Sequence, residues 1–143
     1  MYQRSPENVI PIKRTTEESP NIIGSHVYIG DNCQLEGPYS LGRLTAIDNG
    51  VTCGSNLKTE SDCLINKDTT LGIYVYLQTN SVIGCGCILG NHVTVYSGSR
   101  IPDGTMVLDY GNVYPNENDP ENGIIVYYPE KELDTSDSSE FDI

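Results

Sequence analysis

A hydrophobic residue recurs every six positions along the chain, with no insertion, from Ile23 to Val107. The fifteen positions, thirteen of them aliphatic, are Ile23, Ile29, Leu35, Leu41, Ile47, Cys53, Thr59, Ile65, Leu71, Leu77, Ile83, Leu89, Val95, Ile101 and Val107. Neither an α-helix nor a flat sheet has a period of six, whereas a chain that turns a corner after each short strand does. The pattern therefore predicts a parallel β-helix.

The positions between these residues support the same fold. The residue directly after each one is Gly, Asp, Glu, Asn or Gln from Gly24 to Gly90, which predicts a turn there. The fourth residue after it is mostly small or β-branched, as a narrow interior requires. Alternation predicts that the third and fifth residues point outward. Tyr39 and Leu57 break the small-residue rule, and we expect a local bulge at Pro38-Tyr39.

This repeat resembles that of the hexapeptide-repeat superfamily, whose left-handed prisms place three units in each triangular coil. The resemblance implies that residues eighteen apart stack, so that one buried column contains Ile29, Ile47, Ile65, Ile83 and Ile101. The predicted fold class is all-β, a single-stranded left-handed parallel β-helix of about five coils.

We expect one domain with four segments. These are an N-terminal arm or cap (1–20), the β-helix (21–110), a C-terminal cap or partner-binding segment (111–130) and an acidic disordered tail (131–143). The ends of a solenoid expose unpaired backbone and open core. Candidates to cover them are Val9, Ile10 and Ile12 at the first coil, and at the last coil a strand in Gly123–Pro129, which is also suited to join another protein's sheet.

The charge excludes one class of partner. The formal net charge is −12, and residues 115–143 carry nine acidic residues against Lys131 alone. Nucleic-acid binding requires clustered Lys and Arg, which the chain lacks. The first twenty residues contain no long apolar stretch, so we expect no signal peptide, no membrane anchor and a cytoplasmic location.

The five cysteines are predicted to be reduced. Cys33, Cys53, Cys63 and Cys87 fall on inward positions, and no two of them occupy successive coils of one column. Cys85 falls at a turn. We expect the inward thiols to act as small core residues, not as disulfide or zinc ligands.

The stretch from Pro20 to Pro38, PNIIGSHVYIGDNCQLEGP, resembles the segment of γ-class carbonic anhydrases that offers two zinc-binding histidines five residues apart. At the matching positions this chain has Asp31 and Glu36. A zinc ion that activates water at neutral pH needs neutral nitrogen ligands in a fixed array. We therefore expect no metal, no cofactor and no carbonic anhydrase activity.

A second stretch, VIGCGCILGNHVTVYSGSRIPDGTMV from Val82 to Val107, resembles the last coil and exit of the same γ-carbonic-anhydrase-like group. It is most similar to the β-helical pointed-end subunits of dynactin, subunits 5 and 6, which lack the metal histidines. The resemblance implies a non-catalytic adaptor in a large, cytoskeleton-associated assembly. The implied partners are a related β-helical subunit, packed side by side, and an actin-related filament end.

Two enzymatic functions are the alternatives, a γ-class carbonic-anhydrase-like activity and hexapeptide acyltransfer. Hexapeptide acyltransferases use a histidine, normally on a protruding loop, beside an acyl-CoA groove. This repeat contains no inserted loop, and His26 and His92 fall inside regular units at outward strand positions. We therefore expect that the chain is not an enzyme and has no catalytic residue.

One outward face has the richest apolar stripe. It is predicted to bind the protein partner, since an exposed stripe of this kind commonly marks a contact site. The predicted partner-binding residues are Tyr28, Leu44, Leu64, Val82 and Arg100.

Overall fold

The computed structural model describes residues 20–119 and 123–129, which form a left-handed parallel β-helix. Its first strands are β1 (Ile22–Ile23), β2 (Tyr28–Ile29), β3 (Gln34–Leu35), β4 (Tyr39–Leu41), β5 (Ala46–Ile47), β6 (Thr52–Cys53), β7 (Leu57–Thr59), β8 (Leu64–Ile65) and β9 (Thr70–Leu71). The others are β10 (Tyr76–Leu77), β11 (Val82–Ile83), β12 (Ile88–Leu89), β13 (Thr94–Val95), β14 (Arg100–Ile101), β15 (Met106–Val107), β16 (Asn112–Pro115) and β17 (Ile124–Tyr127). In these two ranges there is no helix long and apolar enough to span a membrane.

The strands stack into three sheets, one for each face of the prism. The first face contains β1, β4, β7, β10, β13, β16 and β17, the second β2, β5, β8, β11 and β14, and the third β3, β6, β9, β12 and β15. Strands of successive coils pair in parallel with residues eighteen apart opposite each other, as Ile29 is opposite Ile47 and Leu35 opposite Cys53. Five coils of three units result, which confirms the predicted fold class.

The isoleucine column lies on the second face, as predicted. Ile47, Ile65 and Ile83 are 0% exposed. Ile29 is partly exposed because it belongs to the first coil. Each inward side chain is covered by its equivalents in the coils above and below, so the column needs neighbours on both sides to be dry.

The corners of the prism correct the predicted turn position. Positive φ occurs at the third residue after each hydrophobic position in fourteen of the fifteen units, for example at His26, Asn32 and His92. The prediction put the turn two residues earlier, and it put both histidines at outward strand positions. Both histidines lie at corners instead, with φ of 58° and 60°. None of the fourteen residues is β-branched, because a branched Cβ clashes in the left-handed region.

The residue directly after each hydrophobic position is often glycine for a different reason. A Cβ on Gly42 would lie 2.5 Å from the carbonyl oxygen of Glu60 in the next coil. A Cβ on Gly84 would lie 2.6 Å from the backbone nitrogen of Asp103. Close approach of stacked turns, and not positive φ, therefore selects glycine at this position.

The unit at Pro38 is the exception among the corners. The peptide bond Gly37-Pro38 is cis, and proline cannot adopt positive φ. The bulge expected at Pro38-Tyr39 does not form, because Tyr39 pairs with Leu57 in a regular parallel register. Tyr39 instead extends β4 to three residues.

A hairpin of β16 and β17 covers the last coil on the first face. β16 pairs in parallel with β13, and β17 pairs antiparallel with β16. Ile124 and Val126 pack against the core. The hydroxyl of Tyr128 accepts a hydrogen bond from the Leu108 N–H at 3.0 Å. A segment of the same chain, β17, thus covers the end of the core at the last coil.

The first coil is more open than the others. Ile22 and Ile23 are 55% and 51% exposed, whereas Leu41, one coil above Ile23, is 1% exposed. The residues predicted to cover this end, Val9, Ile10 and Ile12, lie outside the described residues, as do the rest of the arm and the acidic tail at 131–143. The division into four segments stays a prediction.

The isoleucine column gives a direct test of the core. Ile65→Asp should cost about 4 kcal/mol or more of unfolding free energy, because it puts an unpaired charge where no water reaches. Ile88→Asp is the matched control: Ile88 points outward and is 46% exposed, against 0% for Ile65. There the same change should cost about 1 kcal/mol or less. Urea unfolding followed by circular dichroism measures both, and equal losses would contradict the assigned register.

Candidate functional site

An open groove of about 380 Å³ lies on the first face over the first coils, at the edge where the third face turns into it. This edge is called the third–first corner below. The groove is lined by Pro20, Ile22, Pro38, Tyr39, Ser40, Asn56, Leu57, Lys58, Tyr74, Val75 and Tyr76. Its volume is in the range of small-molecule sites, and its lining combines aromatic rings with a few polar groups.

Lys58 gives the groove its charge. Among the described residues that line the groove, Lys58 alone is charged. Its Nζ lies 5.2 Å from the centroid of the Tyr76 ring, in the range of a cation–π contact. Ser40 and Asn56 add a hydroxyl and an amide. Lys58 is the one charge in the described lining that can attract an anionic group of a ligand, although the Glu60 carboxylate beside the groove offsets part of it.

Glu60 lies beside the groove and holds one of its lining residues, Tyr76, in place. The Tyr76 hydroxyl donates a hydrogen bond to the Glu60 carboxylate. The Thr79 N–H and hydroxyl donate to the other carboxylate oxygen at 3.2 and 3.1 Å. These bonds, led by that of Tyr76, lower the pKa of Glu60, and the carboxylate in turn raises the pKa of Tyr76. Glu60 is therefore an anion that fixes the Tyr76 ring and is poorly suited to accept a catalytic proton.

A column of three rings runs up the third–first corner. His92 is stacked between Tyr74 and Tyr110, with centroid distances of 5.1 and 4.9 Å and nearly parallel planes. Tyr74 also lines the groove, so the His92 imidazole lies one coil above that part of the groove lining. The tyrosines cover both faces of the imidazole, which leaves access at the ring edge that carries its nitrogens. The spacing of eighteen between 74, 92 and 110 was visible in the sequence, but it is informative only once the number of units per coil is known.

The structure separates His26 from this column. His26 is exposed in the first coil, at the corner where the first face turns into the second. His92 is in the fourth coil at a different corner. The two histidines therefore do not form one site.

Asp31 and Glu36 are not brought together with a histidine. Asp31 is exposed at the corner between the second and third faces, where its N–H donates to Asn49 Oδ1 at 2.8 Å. Glu36 follows β3 and lies at a second depression of about 410 Å³, lined by Gln34, Leu35, Glu36, Thr52 and Cys53. In the described part of the chain no group of three His, Cys, Asp or Glu side chains is arranged to hold a metal ion.

The inward positions predicted for Cys53, Cys63 and Cys87 are confirmed, whereas Cys33, in the first coil, is only partly buried. All five thiols are free, and Cys53, Cys63 and Cys87 are buried. Burial raises the pKa of Cys53 to about 11 and also raises that of Cys63. A thiol that resists ionisation is a poor nucleophile and metal ligand, so these residues serve the core.

Four of the five predicted partner-binding residues lie on one ladder of the second face. Tyr28, Leu64, Val82 and Arg100 stack in register, with Ala46 between the first two. Leu44 lies beside them at a corner, with φ of 63°. Tyr28 and Arg100 are exposed, and Leu64 and Val82 are partly buried by their neighbours. Binding of a partner at this ladder stays a prediction.

Comparison with known proteins adds evidence about the fold. No family model and no curated protein matches the sequence. The acetyltransferase domain of PglB from Neisseria gonorrhoeae has a TM-score of 0.51 at 15% identity, over 69% of this chain and 56% of that chain. AntD, an N-acyltransferase from Bacillus cereus in complex with dTDP and coenzyme A, has a TM-score of 0.41 at 14% identity, over 83% of this chain and 88% of that chain. This chain thus spans little more than half of the PglB structure.

These findings correct one expectation. The expectation that the chain is not an enzyme is wrong, because it took the regular repeat as evidence against catalysis, and the PglB domain, which has this fold, is an acetyltransferase. The likeness to the PglB domain shows a shared β-helical fold, and the comparisons give nothing specific to dynactin.

The Glu60 network makes a testable prediction. Tyr76→Phe removes the largest cause of the lowered pKa, so the pKa of Glu60 should rise toward the ordinary value of about 4.3. In the unmodified chain the lowered pKa of Glu60 stabilises the folded state at pH values above the unfolded-state pKa. This stabilisation is lost as the pH falls through the folded-state pKa. Carboxyl-carbon NMR titration measures the change. Tyr96→Phe is the control, because the Tyr96 ring stacks on Tyr114 and not beside Glu60. An equal change in the Glu60 pKa in both variants would contradict the hydrogen bond assigned to Tyr76.

Proposed function

We propose that this chain is an acyltransferase of the hexapeptide-repeat type, which transfers an acyl group from an acyl-CoA to an amine or a hydroxyl group. The observation that carries the proposal is the position of the imidazole beside the groove: Tyr74 lines the groove and stacks on His92. The fold shared with the acetyltransferase domain of PglB supports the same class of reaction.

In the proposed reaction His92 is the general base. Its neutral imidazole takes the proton of the acceptor N–H or O–H while the acceptor atom attacks the thioester carbonyl. The new C–N or C–O bond forms, the C–S bond breaks, and the coenzyme A thiolate leaves. The imidazolium then gives its proton to the thiolate. The stack of Tyr74 and Tyr110 holds the ring plane, so the residue needs no protruding loop to be oriented.

Lys58 is the proposed anchor for the phosphates of the acyl donor. Its ammonium group is the charged group of the groove lining, and its Nζ lies over the Tyr76 ring. A local positive charge can bind a polyanion although the chain as a whole is acidic.

The imidazole is tested by a matched pair of variants. His92→Gln should lower kcat/KM by about 100-fold or more, because removal of a general base typically costs that much. His26→Gln, at another corner, should leave the rate unchanged. The assay follows release of the coenzyme A thiol from acetyl-CoA with a panel of amino sugars, amino acids and polyols. Equal rates for the two variants, or no saturable binding of coenzyme A by the unmodified chain, would refute the proposal.

The anchor is tested by binding alone. Lys58→Gln should raise the Kd for coenzyme A about tenfold, as expected for loss of a charge-assisted contact. Lys67→Gln removes the same charge at an exposed position of another corner and is the control. Calorimetric titration measures both, and similar changes in the two variants would show that the groove is not the phosphate site.

A further inference from the structure

The corner that carries the ring column combines bulky side chains with a backbone conformation that does not favour them. Tyr74, His92 and Tyr110 have φ of 58°, 60° and 66°. At the corner between the second and third faces, the same position holds residues that tolerate positive φ, namely Asn32, Gly50, Asp68, Gly86 and Gly104. Tyr74 and Tyr110 are 52% and 54% exposed, so burial alone does not hold these side chains. A bulky residue keeps positive φ only where the surrounding structure fixes it.

A pair of side-chain acceptors lies beside the rings, one residue earlier in each coil. The Ile73 N–H donates to Asn91 Oδ1 at 3.0 Å, and the Asn91 N–H donates to Asp109 Oδ1 at 2.8 Å. We call these two consecutive hydrogen bonds the Asx ladder. The corner between the second and third faces has one such bond over the same two coils, from the Cys85 N–H to Asp103 Oδ1 at 2.8 Å. Each donor or acceptor of the Asx ladder directly precedes a residue of the ring column.

Two glycines leave the space that the Asx ladder needs. A Cβ on Gly72 would collide with Asn91 Oδ1, and a Cβ on Gly90 would collide with Asp109 Oδ1. The acceptor oxygens therefore lie directly against the backbone of the coil below. A larger residue at either glycine would displace the acceptor, so the Asx ladder requires glycine at both positions.

The Asx ladder and the main chain hold the imidazole residue from two sides. The His92 N–H donates to the Ile73 carbonyl oxygen at 2.9 Å, and the Tyr110 N–H donates to the Asn91 carbonyl oxygen at 2.8 Å. Main-chain bonds of this kind recur at the other corners. The Asx ladder adds a bond at the residue before each ring, so both ends of the short turn at 91–92 are tied to adjacent coils. The direction of the imidazole ring is thus fixed through its backbone.

We propose that Asn91 and Asp109 are positioning residues for His92, and that the Asx ladder directs the imidazole edge toward the acyl acceptor. This inference rests on the proposed role of His92 as the general base. Neither side chain takes a proton in the reaction, because each acts through the backbone of the corner. A small displacement of a catalytic group lowers the rate of the chemical step strongly. Loss of the Asx ladder should therefore change kcat more than KM.

Three variants separate position from charge. Asp109→Ala removes the acceptor, and Asp103→Ala removes the equivalent bond at another corner. Asp109→Asn removes the charge and keeps an amide oxygen, the group with which Asn91 already accepts from Ile73. Asp109→Ala should lower kcat for acyl transfer about tenfold with KM changed by less than about twofold, whereas the other two variants should keep kcat within about twofold. A kcat as low in Asp109→Asn as in Asp109→Ala, or equal losses in Asp109→Ala and Asp103→Ala, would overturn the proposal.

The position of the imidazole is also measurable without catalysis. The His92 ring protons lie between two tyrosine rings, so their NMR shifts depend on the geometry of the stack. Asp109→Ala should move these resonances toward those of the exposed His26, and Asp103→Ala should leave them in place. If the unmodified chain transfers no acyl group, the proposed function fails, and these resonances still decide whether the Asx ladder positions His92.

A second pair of variants breaks the Asx ladder and keeps the charge. Gly90→Ala displaces the Asp109 carboxylate, and Gly84→Ala meets the Asp103 carboxylate in the same way at the other corner. Gly90→Ala should shift the His92 ring resonances as Asp109→Ala does, and Gly84→Ala should not. Unchanged His92 resonances in both Gly90→Ala and Asp109→Ala would show that stacking alone places the imidazole and would contradict the positioning role.

Discussion

The structure depends on the stacking of residues eighteen apart in parallel register. Each coil supplies the backbone hydrogen-bond partners and the covering side chains for the next coil. Ile47, Ile65 and Ile83 are therefore fully buried, although each coil contributes only one short strand to each face. A charge in the isoleucine column, or a change in the number of residues per unit, would disturb both the backbone pairing and the side-chain packing. The unbroken period of six follows from this constraint, and so do the positions of Lys58, Tyr74 and His92.

Stacking also turns isolated side chains into columns. Tyr74, His92 and Tyr110 are far apart in the sequence, yet they form one pile of rings because each occupies the same corner of successive coils. Lys58 and Tyr76 meet in the groove for the same reason, as neighbours on adjacent strands. A regular β-helix can therefore bring an imidazole, an ammonium group and several aromatic rings to one side of the prism with no inserted loop. The prediction of a non-enzyme overlooked this possibility.

The fold and its core were predictable, because the pattern of inward residues is the same in every coil. The turn position was not, because glycine is enriched directly after the hydrophobic residue for close approach of turns, as at Gly42, and not for positive φ. His26 and His92 were therefore assigned to strands instead of corners. The groove escaped prediction because it depends on Pro38, the corner that cannot adopt positive φ, and on side chains from several coils.

The proposed binding of an acyl-CoA in the groove on the first face, beside the His92 corner, is tested most directly by amide chemical-shift mapping. The 15N-labelled chain is titrated with coenzyme A. Saturable shifts should be concentrated at Lys58, Tyr74 and Tyr76 and should extend to His92. Shifts confined to the ladder of Tyr28, Leu64 and Val82 on the second face, or no shifts at saturating coenzyme A, would contradict the proposed binding.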